Sequence, residues 1–212
     1  MVVLLVLCLL HLWYIVDDES GDIHAVQEIA VNGDGDVYAS GWFEGTVDFD
    51  PSAGTEELTE VGDWRDPFTV KLSADKSFEW VHSTAYIEEM HFDADDNVYC
   101  VGNFFGTVDF DAGAGDEIHT APTAGYPGLR GAGFVQKMDE DGELLWLDVI
   151  QPGISSGFAG ATAIAMDNDE NIYVSGRFMD SLYVNTSPAT EIEGPGGFDV
   201  FAVKYGIDCD ID

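Results

Sequence analysis

Basic side chains are nearly missing from this chain of 212 residues, in which Lys and Arg number 7 against 41 Asp and Glu, for a formal charge of −34 at pH 7. This excludes nucleic acid as a partner, since binding to a polyanion depends on Lys and Arg displacing its counterions. Cysteine is equally scarce. Cys8, Cys100 and Cys209 form no CxxC pair and no zinc-type spacing with histidine, so neither a disulfide framework nor a zinc site is expected. A sustained helical period is absent too, because Gly or Asp interrupts every candidate stretch. The one long uncharged run, MVVLLVLCLLHLWYIV at 1–16, is too short for a membrane span. It also lacks the basic n-region and small-residue cleavage site of a signal peptide. Two readings of it stand: a signal or anchor remnant, or a buried strand.

Catalytic signatures are missing as well. Ser155 and Ser156 have no GxSxG context, there is no Walker or dinucleotide fingerprint, and His11, His24, His82, His91 and His119 show no dyad spacing. Acidic residues are too abundant for spacing to select a glycosidase pair. No catalytic residue is assigned. What the chain does contain is 46% hydrophobic and 12% aromatic residues with 24 Gly, a globular composition rich in turns. Repulsion on the scale of its charge calls for screening by salt or bound cations, as in a saline habitat, or else serves the solubility of an exported protein.

Internal repetition organises the rest. VYASGWFEGTVDFD at 37–50 returns as VYCVGNFFGTVDFD at 98–111, and more weakly as IYVSGRFMDSLYVN at 172–185. Tyr38, Gly41 and Phe43 thereby align with Tyr99, Gly102 and Phe104, and with Tyr173, Gly176 and Phe178. Downstream, Phe68 to Lys71 matches Phe134 to Lys137 and Phe201 to Lys204, and Trp80 and Trp146 follow their lysines at one interval. Each copy therefore reads as an apolar run, an acidic turn, a Tyr/Gly/Phe run, a loop, a Phe/Lys run, a turn and a Trp run. Runs such as FTVKL, GFVQKM and VFAVKY are β-branched and aromatic, bounded by turn residues, and read as strands. The expectation is an all-β chain of four-stranded units, with repeats at about 22–83, 84–150 and 160–212 in one domain over 1–212. Trp13 aligns with Trp80 and Trp146, so residues 9–16 are expected as a strand of a neighbouring or closing unit.

The order of acidic turn, Asn-Val-Tyr, Gly, GTVDFDP, Phe-x-x-Lys and Trp resembles the bacterial β-propeller repeat often called the seven-bladed β-propeller repeat, over about residues 22–205. The resemblance implies propeller-type blades in exported or cell-surface proteins, with no assigned catalytic residue. The third copy departs from the pattern by losing GTVDFD. Three blades are too few for an ordinary closed ring, so an open arc or partial propeller is expected.

Two sets of residues could carry chemistry. Acidic turns recur as Asn32, Asp34 and Asp36; Asp93, Asp95 and Asn97; and Asp167, Asp169 and Asn171. Alternating oxygens of this kind suit calcium, and the same residues suit plain hairpin turns, so both readings stand. Lys71, Lys137 and Lys204 share one position inside a strand, where each ammonium needs a carboxylate; Asp48 and Asp109 are the expected partners. The functional expectation is a non-catalytic binding or scaffold module, extracellular or at the cell surface. It would meet a protein or glycan through loops 51–65 and 112–131, or further repeats of the same protein by self-association. A polysaccharide lyase or hydrolase and a calcium-dependent adhesion stalk are the alternatives.

Overall fold

A computed structural model describes residues 6–8, 11–13, 21–61, 65–113, 115–122, 131–153, 157–184 and 190–206, with side chains from residue 25 onward. Every regular element among them is a β-strand, and all strand pairs are antiparallel. The chain, expected as one domain, falls into two compact units, Met1–Tyr86 and Ile87–Asp212.

In the first unit, β1 (Val6–Cys8) pairs with β2 (His11–Trp13) in a two-stranded sheet of their own. The described part of the expected strand at 9–16 is thus β2, whose partner is Val6–Cys8; residues 9, 10 and 14–16 lie outside the described residues. A second sheet runs in sequence order through β3 (Gly21–Val31), β4 (Val37–Asp48), β6 (Asp66–Leu72) and β7 (Phe78–His82). These are the four runs read from the first repeat. A fifth strand, β5 (Glu57–Thr59), pairs with the end of β4 in a stretch the sequence suggested was loop. Ala39, Phe43, Val47, Phe49, Phe68, Val70 and Leu72 form the core of this unit. Each fully buried Phe contributes about 1.5–3 kcal/mol, so the aromatic positions of the repeat are what hold the sheet.

The second unit repeats the order with β8 (Tyr86–Phe92), β9 (Val98–Phe104), β12 (Ala132–Met138) and β13 (Leu144–Pro152), while β10 (Thr107–Asp109) and β11 (Ile118–Thr120) form a hairpin like that of β4 and β5. The third copy supplies β14 (Ala159–Met166), β15 (Ile172–Val184) and β16 (Thr190–Tyr205). Ile150–Pro152 of β13 pair with Leu182–Val184 of β15, which joins the two copies into one seven-stranded sheet, nearly closed and barrel-like. Its inside is apolar. Tyr99, Val101, Val135 and Ile150 pack with Ala161, Ile164, Ile172, Val174, Phe178 and Val203.

The recurring glycine has a steric reason. β3 is bulged around Ala25, and a Cβ on Gly41 would lie 2.0 Å from the Ala25 carbonyl oxygen. β14 is bulged next to Ala161, and a Cβ on Gly176 would lie 2.0 Å from the Gly160 carbonyl oxygen. A bulge turns a carbonyl toward the neighbouring strand, and only a residue without a side chain leaves it room.

Candidate functional site

The acidic turns share one backbone geometry with two further turns. The first residue of each donates its N–H to the carbonyl of the fifth, and the fourth donates to the carbonyl of the first. Asn32 pairs so with Asp36 and Gly35, Ser73 with Ser77 and Lys76, Asp93 with Asn97 and Asp96, Asp139 with Glu143 and Gly142, and Asp167 with Asn171 and Glu170. All five fourth residues have positive φ: Gly35 91°, Lys76 78°, Asp96 60°, Gly142 82° and Glu170 62°. This is the type I turn followed by a left-handed residue that closes three-residue β-hairpin loops. The side chain of the first residue completes it. Asn32, Asp93, Asp139 and Asp167 accept the fifth residue's N–H on Oδ1 at 2.8, 2.9, 2.9 and 3.0 Å, and Ser73 does so on Oγ at 3.1 Å.

Some of the oxygens proposed for calcium already accept hydrogen bonds within the turns. Asp93 Oδ1 also accepts the Asp95 N–H, and Oδ2 accepts Asn97 Nδ2. Asp167 Oδ1 accepts the Asp169 N–H, and Oδ2 accepts Asn171 Nδ2 and the Tyr173 hydroxyl. Asp36 Oδ1 accepts the Ala74 N–H at 3.0 Å. Asp34, Asp95 and Asp169 are exposed at the turn tips. Calcium takes six to eight oxygens. Among the described residues no group of three or more His, Cys, Asp or Glu comes together in a way that could hold an ion.

The lysines have different partners from those expected. Lys71 Nζ lies 3.3 Å from Asp36 Oδ2, and Lys137 Nζ lies 2.9 Å from Asp93 Oδ2. Asp48 and Asp109 instead accept N–H groups of their own hairpin loops, Asp50 and Glu56 on Asp48, Asp111 and Glu117 on Asp109. The cause is a change of direction. Gly45 and Gly106 sit at φ 74° and 68°, β6 pairs with β4 only as far as Phe43, and beyond the glycine the chain leaves the sheet for the hairpin. Asp48 and Asp109, the expected partners, therefore lie in the hairpins rather than beside the lysines.

Each lysine lies in a cross-strand row. Tyr38, Lys71 and Trp80 are register partners, as are Tyr99, Lys137 and Trp146, and Tyr173 faces Lys204. Lys71 Nζ is 5.7 Å from the Tyr38 ring centre and Lys137 Nζ 4.8 Å from that of Tyr99, within cation–π range. Burial works against the charge on Lys137, but hydrogen bonds and charges from Tyr99 and Asp93 outweigh it and raise its pKa above the ordinary lysine value. A lysine held this firmly as the cation is a structural brace rather than a general base.

The hairpins after the glycines anchor the long loops. Thr46 and Thr59 hydroxyls meet at 2.9 Å, as do Thr107 and Thr120. Phe49 and Phe110 turn inward against Phe68 and Phe134, with ring centres 4.9 and 5.1 Å apart. Asp50 and Ser52 then accept the N–H of Ser52 and Gly54, and Asp111 that of Gly113, so the first part of loops 51–65 and 112–131 is ordered by side chains. Residues 62–64, 114 and 123–130 of those loops lie outside the described residues.

Two other titratable groups are packed. Burial and the Asp148 charge raise the pKa of Tyr205, whose hydroxyl donates to Asp148 Oδ2 at 2.8 Å. His82 stacks on Trp80 at 4.6 Å, and burial lowers its pKa. No protein-family model matches the chain, and no curated protein matches it significantly.

Proposed function

We propose that the chain is a β-propeller-type repeat module of an exported or cell-surface protein, and that it binds or scaffolds rather than catalyses. The observation that carries this reading is the use made of the recurring polar residues. Asp36 with Lys71 and Asp93 with Lys137 close ion pairs within the sheets, and Asp139 and Asp167 cap their own turns. Residues that recur at these positions thus brace each of the first two repeats internally. What differs between copies is loop 51–65 against 112–131, and variable loops on a rigid sheet are where specificity resides.

A formal charge of −34 disfavours anionic ligands, so the glycan or protein segment that suits these loops is neutral or cationic. The test is binding to immobilised neutral, amino-sugar and uronate oligosaccharides, with loop 51–61 or 112–122 replaced by Gly-Ser. Retention on neutral or amino sugars, reduced at least tenfold by a loop replacement, supports the proposal. Release of reducing ends or unsaturated uronates would instead establish the polysaccharide lyase or hydrolase.

A further inference from the structure

The three copies present one row of residues with different outcomes. Tyr38, Ser40 and Thr69 in the first copy are 0, 1 and 3% exposed, and Tyr99, Val101 and Val135 in the second are 4, 0 and 0% exposed. Their counterparts in the third copy are Tyr173, Ser175 and Ala202, all exposed, with Tyr173 at 44%. Val200 beside them is 82% exposed and Phe198 50%. The third copy therefore leaves open the face that the other copies bury.

What covers this face in the second copy is visible within the second unit. β14 of the third copy lies on it: a Cβ on Gly133 would come within 2.9 Å of Ala161 N, Glu89 Oε2 accepts the Ile164 N–H at 2.8 Å, and Ala159, Ala161 and Ile164 join the same core as Tyr99 and Val101. The cover is the first strand of the following copy. Ile164 corresponds to Met90 and to Ile29, counting back from the acidic turns. Ile164 and Met90 are each 6% exposed, whereas Ile29 is 38% and Val31 55% exposed. One open face and one open first strand are thus left at opposite ends of the repeat series.

The two ends differ in their content of charged residues. Arg177 and Lys204, two of only 7 basic residues in the chain, lie on the open face, while the strand GDIHAVQEIAV carries Asp22 and Glu28 and no Lys or Arg. Arg177 is held between the rings of Phe158 and Phe198, at 5.6 and 5.9 Å, and no carboxylate pairs with it among the described residues.

We propose that the face of Tyr173, Ser175, Arg177, Val200 and Ala202 is a docking surface for a second copy of this chain, which seats its β3 there head to tail, repeating the packing of β14 on β9 and β12. This deepens the repeat-module reading and rests on it. Head-to-tail contacts form a ring if the rotation closes and a filament if it does not.

The experiment uses the full chain with Val200→Glu and Ile29→Glu, both at exposed positions, and the milder Val200→Thr. Molar mass is measured by light scattering on a sizing column at ~0.5 M salt, where the Debye length of about 3–8 Å screens the acidic surfaces. The native chain is expected as a dimer or higher species whose mass rises with concentration. Each Glu variant should be monomeric, Val200→Thr should lose at least tenfold in apparent affinity, and an equimolar mixture of the two Glu variants should give a 1:1 dimer. That mixture retains one intact face and one intact strand, so only head-to-tail docking rescues it. A native monomer at ~100 μM, a mixture that stays monomeric, or assembly abolished by Val200→Glu and indifferent to Ile29→Glu overturns the proposal; the last result would mean two open faces pairing with each other. Neither substitution touches loops 51–65 or 112–131, so oligosaccharide retention by the variants reports separately on the binding module.

Discussion

Exchanging two residues of one turn tests the lysine brace directly. In the first copy the turn begins with Asn32 and ends with Asp36, which pairs with Lys71; in the second it begins with Asp93, which pairs with Lys137, and ends with Asn97. The carboxylate has changed places while the ion pair has been kept. Asp93→Asn preserves an Oδ1 that can accept the N–H groups of Asp95 and Asn97 but replaces Oδ2 by an NH2, so its cost combines the lost charge with the lost hydrogen bond from Asn97 Nδ2. Breaking a fully buried pair costs about 3–5 kcal/mol. Because the Lys137 side chain is 20% exposed and that of Asp93 5%, solvent screening reduces this to about 2–3 kcal/mol. Adding Asn97→Asp recreates the first copy's arrangement and should recover about half of the loss. Urea unfolding at pH 7 followed by Trp fluorescence suits the purpose, since Trp146 is the register partner of Lys137. Coupling between positions 93 and 97 that is zero within error, or an Asp93→Asn cost no larger than that of the exposed Asp95→Asn, would refute the reasoning.

Three further outcomes are expected. Gly41→Ala and Gly176→Ala each drive a methyl to 2.0 Å from a carbonyl oxygen, so each should cost about 3 kcal/mol or more in unfolding free energy, against a surface control such as Gly106→Ala, which meets no neighbour and bears only the strain of its positive φ. His82 has its pKa lowered by burial, so the unfolded chain binds the proton more readily; stability tied to this residue should be intact above about pH 6.5 and fall as the pH drops from there to the folded value. The difference in urea midpoint between the native chain and His82→Phe, followed from pH 8 to 5, reads that slope free of the carboxylates common to both. Melting in millimolar calcium and in millimolar magnesium should give equal small rises from screening, and sodium chloride toward 1 M a larger one; a rise specific to calcium would assign the turns a ligand role.

The strand runs and their repetition were legible because apolar and turn residues recur at fixed places in all three copies. Positive φ was legible where Gly35 stands and illegible at Lys76, Asp96 and Glu170, where the turn imposes a conformation that the residue disfavours. β5 and β11 are three-residue strands among Gly, Asp and Thr, too short to show a period, so they read as loop. The ion pairs were half legible. Burial of Lys71 and Lys137 implied a carboxylate, but choosing Asp36 and Asp93 over Asp48 and Asp109 required knowing that Gly45 and Gly106 lead the chain out of the sheet. The pairing of β13 with β15 joins strands that are not consecutive, and no local pattern announces it.

The hairpin rooted at Thr46 with Thr59, and again at Thr107 with Thr120, separates chain length from sheet geometry. Between Thr59 and Asp66 the first copy runs a short connection, and between Thr120 and Ala132 the second runs a longer one, yet the register of β4 with β6 and of β9 with β12 is the same. With the Thr pair clasped on one side and Phe49 or Phe110 packed inside, the strands keep one register with connections of two different lengths. The two copies already differ in length at this position, which makes it the place to graft a foreign peptide or epitope in the laboratory.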